Sequence, residues 1–137
     1  APNPPRPPIT PERAVELAQE FEDLGPVSGV AFGEAHGTKP YDLVINATSA
    51  SLKGDVPPVD ASCVGPRTAC YDMAYGVGDT PFTAWARQHG AGVVAQGWGM
   101  LVEQAAVAFE LWRGVRPSTP PVLQALQSRA AAMAAAG

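Results

Sequence analysis

Apolar residues recur at helical spacing in four stretches of the chain. The first helical stretch begins after Thr10, with Pro11 in its first turn, and stops at Gly25-Pro26. Three further helices are predicted over residues 81–89, 97–112 and 118–137, and short apolar runs predict strands over residues 27–32, 41–45, 68–71 and 92–95. The resulting order of helix, strand, strand, strand, helix, strand, helix, helix predicts part of an α/β sheet with right-handed crossovers.

The strand that ends in Leu43-Val44-Ile45 has a continuous apolar end, which is the pattern of a strand covered on both faces. The sequence holds neither a G-x-G-x-x-G turn nor a P-loop, although Gly76-Val77-Gly78 supplies two glycines at a strand exit. A dinucleotide-binding sheet normally begins with such a phosphate turn. The chain therefore looks like a sheet without its first unit.

The first nine residues contain a proline at about every second position and only one charge, Arg6. We expect an extended, polyproline-like lead-in over residues 1–9 and a single domain over residues 10–137. A proline-rich recognition ligand is the alternative for this lead-in. We further expect that the lead-in is foreign to the fold that follows it.

Composition narrows the function classes. The net charge of −4 and the absence of a Lys/Arg cluster argue against a nucleic-acid partner, and no apolar run reaches the roughly 18 residues that a membrane span needs. No signal-peptide pattern is present, so a soluble, cytoplasmic protein is expected. Cys63 and Cys70 lack metal-site spacing and are expected to be thiols rather than a disulfide; His36 is expected to be solvated, and no metal site is predicted.

Residues 68–82 form the first candidate site. An apolar run ends in a polar and aromatic cluster, a glycine-bearing loop follows, and Thr80-Pro81 opens a helix. A buried strand would thus deliver Tyr75 to the edge of the sheet where ligands bind in open α/β folds. The alternative is a plain strand–loop–helix connection in which the tyrosine only packs.

Two further segments carry candidate ligand contacts. The small, hydrogen-bonding residues 46–49 follow a strand directly and either approach a ligand closely or simply make a turn. Met100 and Gln104 lie one helical turn apart after Gly97 and Gly99, a glycine pair that could admit a ligand. Solvent exposure is the alternative for Gln104.

Five ordered blocks, at residues 42–49, 71–75, 80–82, 97–106 and 109–114, closely resemble the carboxyl-terminal half of shikimate dehydrogenase. The resemblance runs from Thr10 to the last helix. It implies a partial Rossmann-like three-layer domain, with a parallel sheet and carboxyl-terminal helices. It also implies an NADP-linked oxidoreductase that interconverts 3-dehydroshikimate and shikimate in aromatic amino-acid (chorismate) biosynthesis.

The resemblance also implies roles for individual residues. Tyr75 and Gln104 fall on substrate-contacting positions. The cofactor positions comprise the nicotinamide wall, the loop along the cofactor and the end of the 2′-phosphate segment: Met73, Gly97 and Met100; Asn46, Ala47, Thr48 and Ser49; Thr10 and Arg13. The chemistry suits them, because a methionine gives an adaptable apolar wall and a tyrosine hydroxyl or glutamine amide orients a substrate without altering charge.

The chain departs from the family pattern at several points. The catalytic Lys and Asp of the family, and its pyrophosphate-binding turn, belong to parts that this chain does not match, so no residue here is given the acid/base role. The family has Asn-Arg where this chain has Pro8-Ile9, which predicts an incomplete 2′-phosphate clamp, and commonly has glycine at the position of Ser51.

These departures bear on activity and partners. We expect the isolated chain to be inactive, and we expect its last helices to pack with the family's amino-terminal domain or to self-associate through their apolar stripes. The alternatives are a non-catalytic remnant or binding module, and a relative that accepts quinate.

Overall fold

The computed structural model of the chain describes residues 10–34 and 39–136. The predicted lead-in and His36 lie outside the described residues. The helices and strands, in chain order, are α1 (Pro11–Glu20), β1 (Leu43–Asn46), β2 (Ala69–Asp72), α2 (Pro81–Gln88), β3 (Val93–Gln96), α3 (Trp98–Arg113) and α4 (Pro120–Ala136). Single 3₁₀ turns occur at Phe32–Glu34, Ser51–Lys53 and Ala61–Cys63.

The three strands form one parallel sheet with β2 in the middle. Their register aligns Leu43 with Ala69 and Val93 at one end of the sheet, and Asn46 with Asp72 and Gln96 at the other. The α/β class predicted from the order of elements is confirmed. Because all three strands end in a polar residue in the same row, their carboxyl ends form a polar edge.

Helix α2 covers one face of this sheet, packing against β2 and β3. Phe82 and Ala86 of α2 are completely buried, and they share a core with Cys70 of β2 and with Cys63 and Val64 of the preceding loop. Both cysteines are thiols, as expected, and burial raises the pKa of the Cys70 thiol.

The opposite face of the sheet is open. Leu43 and Ile45 are 55% and 53% exposed, and Val93 on the far strand is 61% exposed. The prediction that β1 is covered on both faces was therefore wrong for the described structure. An apolar run shows that a strand can be buried, but the covering element must come from elsewhere in the fold.

The predicted strand at residues 27–32 was also wrong. Residues 27–31 are irregular and Phe32 begins a 3₁₀ turn. This segment lies against α1, where Gly29 is so close to the carbonyl of Ala14 that a side chain would not fit. A β-strand needs a neighbouring strand to complete its backbone hydrogen bonds, and this segment packs on a helix instead.

Helices α3 and α4 pack on each other. Gly114 ends α3 in the left-handed conformation (φ 70°), which glycine adopts at no steric cost. Trp112, near the end of α3, is 80% exposed. Within the described residues, no helix is both long enough and apolar enough to cross a membrane.

Candidate functional site

The polar edge of the sheet is organised by the carboxylate of Asp72, which is completely buried. Its Oδ1 accepts hydrogen bonds from the Asn46 side-chain amide and from the backbone N–H of Ala74, both at 3.1 Å. Its Oδ2 accepts from the hydroxyls of Ser51 at 2.7 Å and Thr80 at 2.6 Å. Four dipoles therefore replace the water that a buried carboxylate loses.

The side chain of Asn46 is turned inward and is 3% exposed. Its amide nitrogen donates to Asp72 and to Ser51 Oγ (3.1 Å), while its carbonyl oxygen accepts from the hydroxyl (2.7 Å) and backbone N–H (3.1 Å) of Thr48. The Thr48 hydroxyl in turn accepts from the N–H of Ala50 at 3.2 Å. Asn46 thus shapes the loop from within, and its side chain has no further hydrogen-bonding capacity for a ligand.

The outer side of this loop borders an open cleft of about 440 Å³. Thr48, Ser49 and Lys53 lie along one wall, with Phe32 among the other lining residues. Ala47 and Ser49 are exposed. Of the four loop residues predicted to contact a cofactor, Asn46 is therefore buried, whereas Ala47, Thr48 and Ser49 are at least partly accessible.

Thr80 connects the same carboxylate to the start of α2. It is the N-cap residue, and its hydroxyl accepts from the backbone N–H of Thr83 at 3.2 Å while it donates to Asp72. The positive end of the helix dipole is thereby aligned toward the buried negative charge. The predicted helix start at Thr80-Pro81 is confirmed.

Gln96, the last residue of β3, holds the glycine-bearing loop that follows Tyr75. Its Oε1 accepts from the N–H of Gly76 at 2.9 Å, and its Nε2 donates to the carbonyl of Gly78 at 2.6 Å. The ring of Tyr75 packs on that of Trp98 at a centroid distance of 4.8 Å and remains 42% exposed. Tyr75 therefore packs against a neighbouring ring, as the second alternative predicted, and still leaves part of its surface accessible to a ligand, as the first requires.

The start of α3 lies directly against the exit of β2. The N–H of Gly97 donates to the carbonyl of Ala74 at 3.1 Å, and a Cβ at position 97 would overlap the carbonyl group of Met73. Around Gly99, by contrast, the space is open. Of the glycine pair, Gly97 permits close packing of two backbones and only Gly99 leaves room for another group.

Replacing Gly97 by alanine is expected to lower the free energy of unfolding by about 1–3 kcal/mol, because the added methyl group forces Met73 and its strand exit to move. Urea unfolding followed by circular dichroism measures this loss. Gly99→Ala is the matched control; it should leave stability equal or raise it, since alanine favours the helix and meets open space. Equal stability of the two variants would contradict the close-packing role.

The remaining predicted ligand contacts on this edge are accessible. Met73 is 39% exposed and Met100 is 38% exposed. The side chain of Gln104 is exposed, and its amide donates to the carbonyl of Leu101 at 3.1 Å on its own helix. Because Gly97 ties α3 to the exit of β2, these side chains belong to the same end of the sheet as Tyr75.

Thr10 and Arg13 interact within α1. Thr10 is the N-cap residue, but its hydroxyl bonds to the carboxylate of Glu12 instead of a backbone N–H. A hydrogen bond from the backbone N–H of Glu12, followed by the one from Thr10, lowers the pKa of the Glu12 carboxyl. The Arg13 guanidinium lies 3.9 Å from the Glu16 carboxylate, and both side chains are exposed.

Sequence reasoning missed the residues that organise this edge. Asp72, Ser51 and Gln96 were given no role, although Asp72 and Gln96 each follow a short apolar strand directly. A carboxylate at the end of a buried strand, eight residues before a Thr-Pro helix start, was the available signal. Among the described residues, no three His, Cys, Asp or Glu side chains gather where a metal ion could be held.

Comparison with known proteins identifies relatives of this chain. Residues 97–127 match the family model of the shikimate 5'-dehydrogenase C-terminal domain. Over 115 residues the chain is 52% identical to a Methylococcus capsulatus protein named shikimate dehydrogenase (NADP(+)), an overlap of 84% of this chain and 41% of that protein. The chain is homologous to the carboxyl-terminal part of the shikimate dehydrogenases. It spans about two fifths of the length of the curated shikimate dehydrogenases that it matches.

Solved structures share the fold of this chain. A Thermus thermophilus shikimate 5-dehydrogenase, in complex with NADP(H) and shikimate, superposes with a TM-score of 0.69 at 31% identity, covering 88% of this chain and 43% of that one. An Ael1 enzyme from Pseudomonas putida also gives a TM-score of 0.69, at 44% identity, covering 81% of this chain and 41% of that one. The segment that matches the family model includes Gly97, which precedes α3, and Met100 and Gln104 within that helix.

Proposed function

We propose that this chain forms the cofactor side, and part of the substrate side, of an NADP-dependent shikimate dehydrogenase. The reaction is the interconversion of 3-dehydroshikimate and shikimate in chorismate biosynthesis. The observation that carries the proposal is the accessible Tyr75 at the carboxyl edge of a parallel sheet. It occurs in a chain that is 52% identical, over 115 residues, to a protein named shikimate dehydrogenase (NADP(+)). Open α/β sheets bind their ligands at this edge.

On the substrate side, Tyr75 and Gln104 would orient the ring. The Tyr75 ring packs on Trp98, so this side chain would lose little conformational entropy when its hydroxyl binds a substrate. The Gln104 amide holds a bond to its own helix in an exposed position, so turning toward a substrate exchanges one hydrogen bond for another. Both groups are neutral and fix orientation without altering charge.

On the cofactor side, NADPH would donate the hydride to 3-dehydroshikimate and NADP⁺ would accept it from shikimate, while this chain would supply the walls of the cofactor site. Met73, Met100 and the backbone at Gly97 would border the nicotinamide, since all belong to the junction of β2 and α3. Thr48 and Ser49, which line the adjoining cleft, and the exposed Ala47 beside them would border the path of the cofactor. Arg13 would leave Glu16 to pair with the 2′-phosphate, beside Thr10.

Proton transfer in this proposal belongs to the Lys and Asp of the family's amino-terminal domain, and that domain would be the partner of this chain. The chain by itself is then inactive. Without that domain, the purified chain would self-associate, because one face of its sheet is open and α3 exposes apolar residues. Light scattering of the purified chain measures it directly.

A chimera tests the proposed function. In it, the 115 residues of this chain that match the Methylococcus capsulatus relative replace the corresponding segment of that relative, and the chimera is assayed for NADP⁺ reduction by shikimate. We expect turnover, and we expect Tyr75→Phe to lower kcat/KM about 5- to 150-fold, equivalent to about 1–3 kcal/mol for a lost hydrogen bond to bound substrate. NAD⁺ and quinate, assayed in parallel, establish the cofactor preference and the breadth of substrate.

The control is Tyr41→Phe, the same chemical change at a half-exposed tyrosine just before β1. It should leave kcat/KM unchanged. A folded chimera without turnover would favour the non-catalytic alternative, and a Tyr75→Phe variant with unaltered kinetic constants would return Tyr75 to a packing role.

A further inference from the structure

We infer that Asp72 is a positioning residue, whose buried carboxylate fixes Tyr75 and the loop of residues 46–51 relative to each other, with Ser51 as the link from the loop. The inference rests on the proposed function in one respect, because only that function makes Tyr75 and the loop parts of a ligand site. It concerns their relative placement, which is a property of the ligand-free chain.

The bonding pattern of Asp72 carries this inference. Its four donors come from three separate segments: the loop through Asn46 and Ser51, the strand exit through Ala74, and the start of α2 through Thr80. Its own backbone lies in the central strand, between β1 and β3. One carboxylate on the central strand therefore connects three of the segments that meet at this edge.

The link to Tyr75 is short. The bond from the Ala74 N–H to Asp72 Oδ1 fixes the residue immediately before Tyr75, and the Ala74 carbonyl accepts from Gly97 at the start of α3. Tyr75 then packs on Trp98, the first residue of α3. A displacement of the carboxylate therefore changes the contact between the rings of Tyr75 and Trp98.

Ser51 closes a ring of hydrogen bonds on the loop side. Its hydroxyl accepts from the Asn46 amide at 3.1 Å and donates to Asp72 Oδ2 at 2.7 Å, while Asn46 also bonds Asp72 directly. Without the hydroxyl, Asn46 and Asp72 each lose a partner in a buried setting. Because such groups strongly favour re-pairing, the loop and the carboxylate should rearrange together.

The test observes Trp98 without any ligand. The chain has three tryptophans, so 5-fluorotryptophan labelling gives three ¹⁹F resonances, and a Trp98→Phe spectrum assigns the one beside Tyr75. Trp85 in the core and Trp112, which is 80% exposed, are internal references. The variants are Ser51→Ala, Ser51→Thr and Asp72→Ala, with Ser62→Ala as the control at an exposed serine.

We expect Ser51→Ala to shift the Trp98 resonance by more than its line width while Trp85 and Trp112 stay within theirs. Ser51→Thr, which keeps the hydroxyl, and Ser62→Ala should leave all three unchanged. Asp72→Ala should shift Trp98 further; if that variant does not fold, the two Ser51 variants decide alone.

An unmoved Trp98 resonance in folded Ser51→Ala overturns the inference, as does an equal shift of Trp85, which would signal general loosening. A Ser51→Thr spectrum like that of Ser51→Ala also overturns it. Adding NADPH to the unaltered chain is a separate arm. No response there counts against the proposed function and leaves the positioning role of Asp72 standing.

Discussion

Phe82→Ala is expected to lower the free energy of unfolding by about 3–5 kcal/mol, the usual cost of removing a fully buried aromatic ring from a core. Phe82 is completely buried between α2 and the covered face of the sheet, and its ring stacks on Trp85 at a centroid distance of 5.7 Å. Helix α2 is only eight residues long, so few other side chains can compensate.

Urea unfolding followed by circular dichroism measures the loss at Phe82. Phe82→Leu, which keeps most of the volume, should cost clearly less than Phe82→Ala. Leu111→Ala is the control, since Leu111 is 80% exposed and its truncation should change stability by no more than about 0.5 kcal/mol. Equal losses at Phe82 and Leu111 would mean that the described core does not stabilise the chain.

Local signals in the sequence predicted most of the elements. Thr80-Pro81 marked the start of α2, and the observed strands overlap three of the four predicted runs. Capping residues and side-chain periodicity act over a few neighbouring positions, which is why they can be read from one chain. The predicted strand at residues 27–32 failed because a strand depends on a distant partner.

The polar edge could not be predicted in the same way. Asn46, Asp72 and Gln96 meet in one row only because of the register between three strands, and the register is set by packing across the whole sheet. Ser51 was noted only as a departure from glycine, yet its hydroxyl bonds the buried carboxylate. The ligand roles of Tyr75, Gln104 and the residues around them come from the family resemblance, and they stay predictions.

Asp72→Ala is expected to lower the free energy of unfolding by about 2–6 kcal/mol. The Asn46 amide and the Ala74 N–H are both obligatory donors to Oδ1, and each would lose a buried acceptor at a cost of about 1–3 kcal/mol. The hydroxyls of Ser51 and Thr80 can rotate toward other acceptors and should contribute less. Asp72→Asn should cost less than Asp72→Ala, because its carbonyl oxygen can still accept from both obligatory donors.

Asp55→Ala is the matched control, at an exposed aspartate in the loop after β1, and it should change stability by no more than about 0.5 kcal/mol. The same urea experiment measures all three variants. If Asp72→Ala were as stable as Asp55→Ala, the buried hydrogen bonds would be replaced by water at no cost. The carboxylate could then not fix the positions of the segments at this edge, because its removal would cost no stability. A large loss at Asp72 with a small one at Asp55 would instead show that the edge and the fold depend on the same four hydrogen bonds.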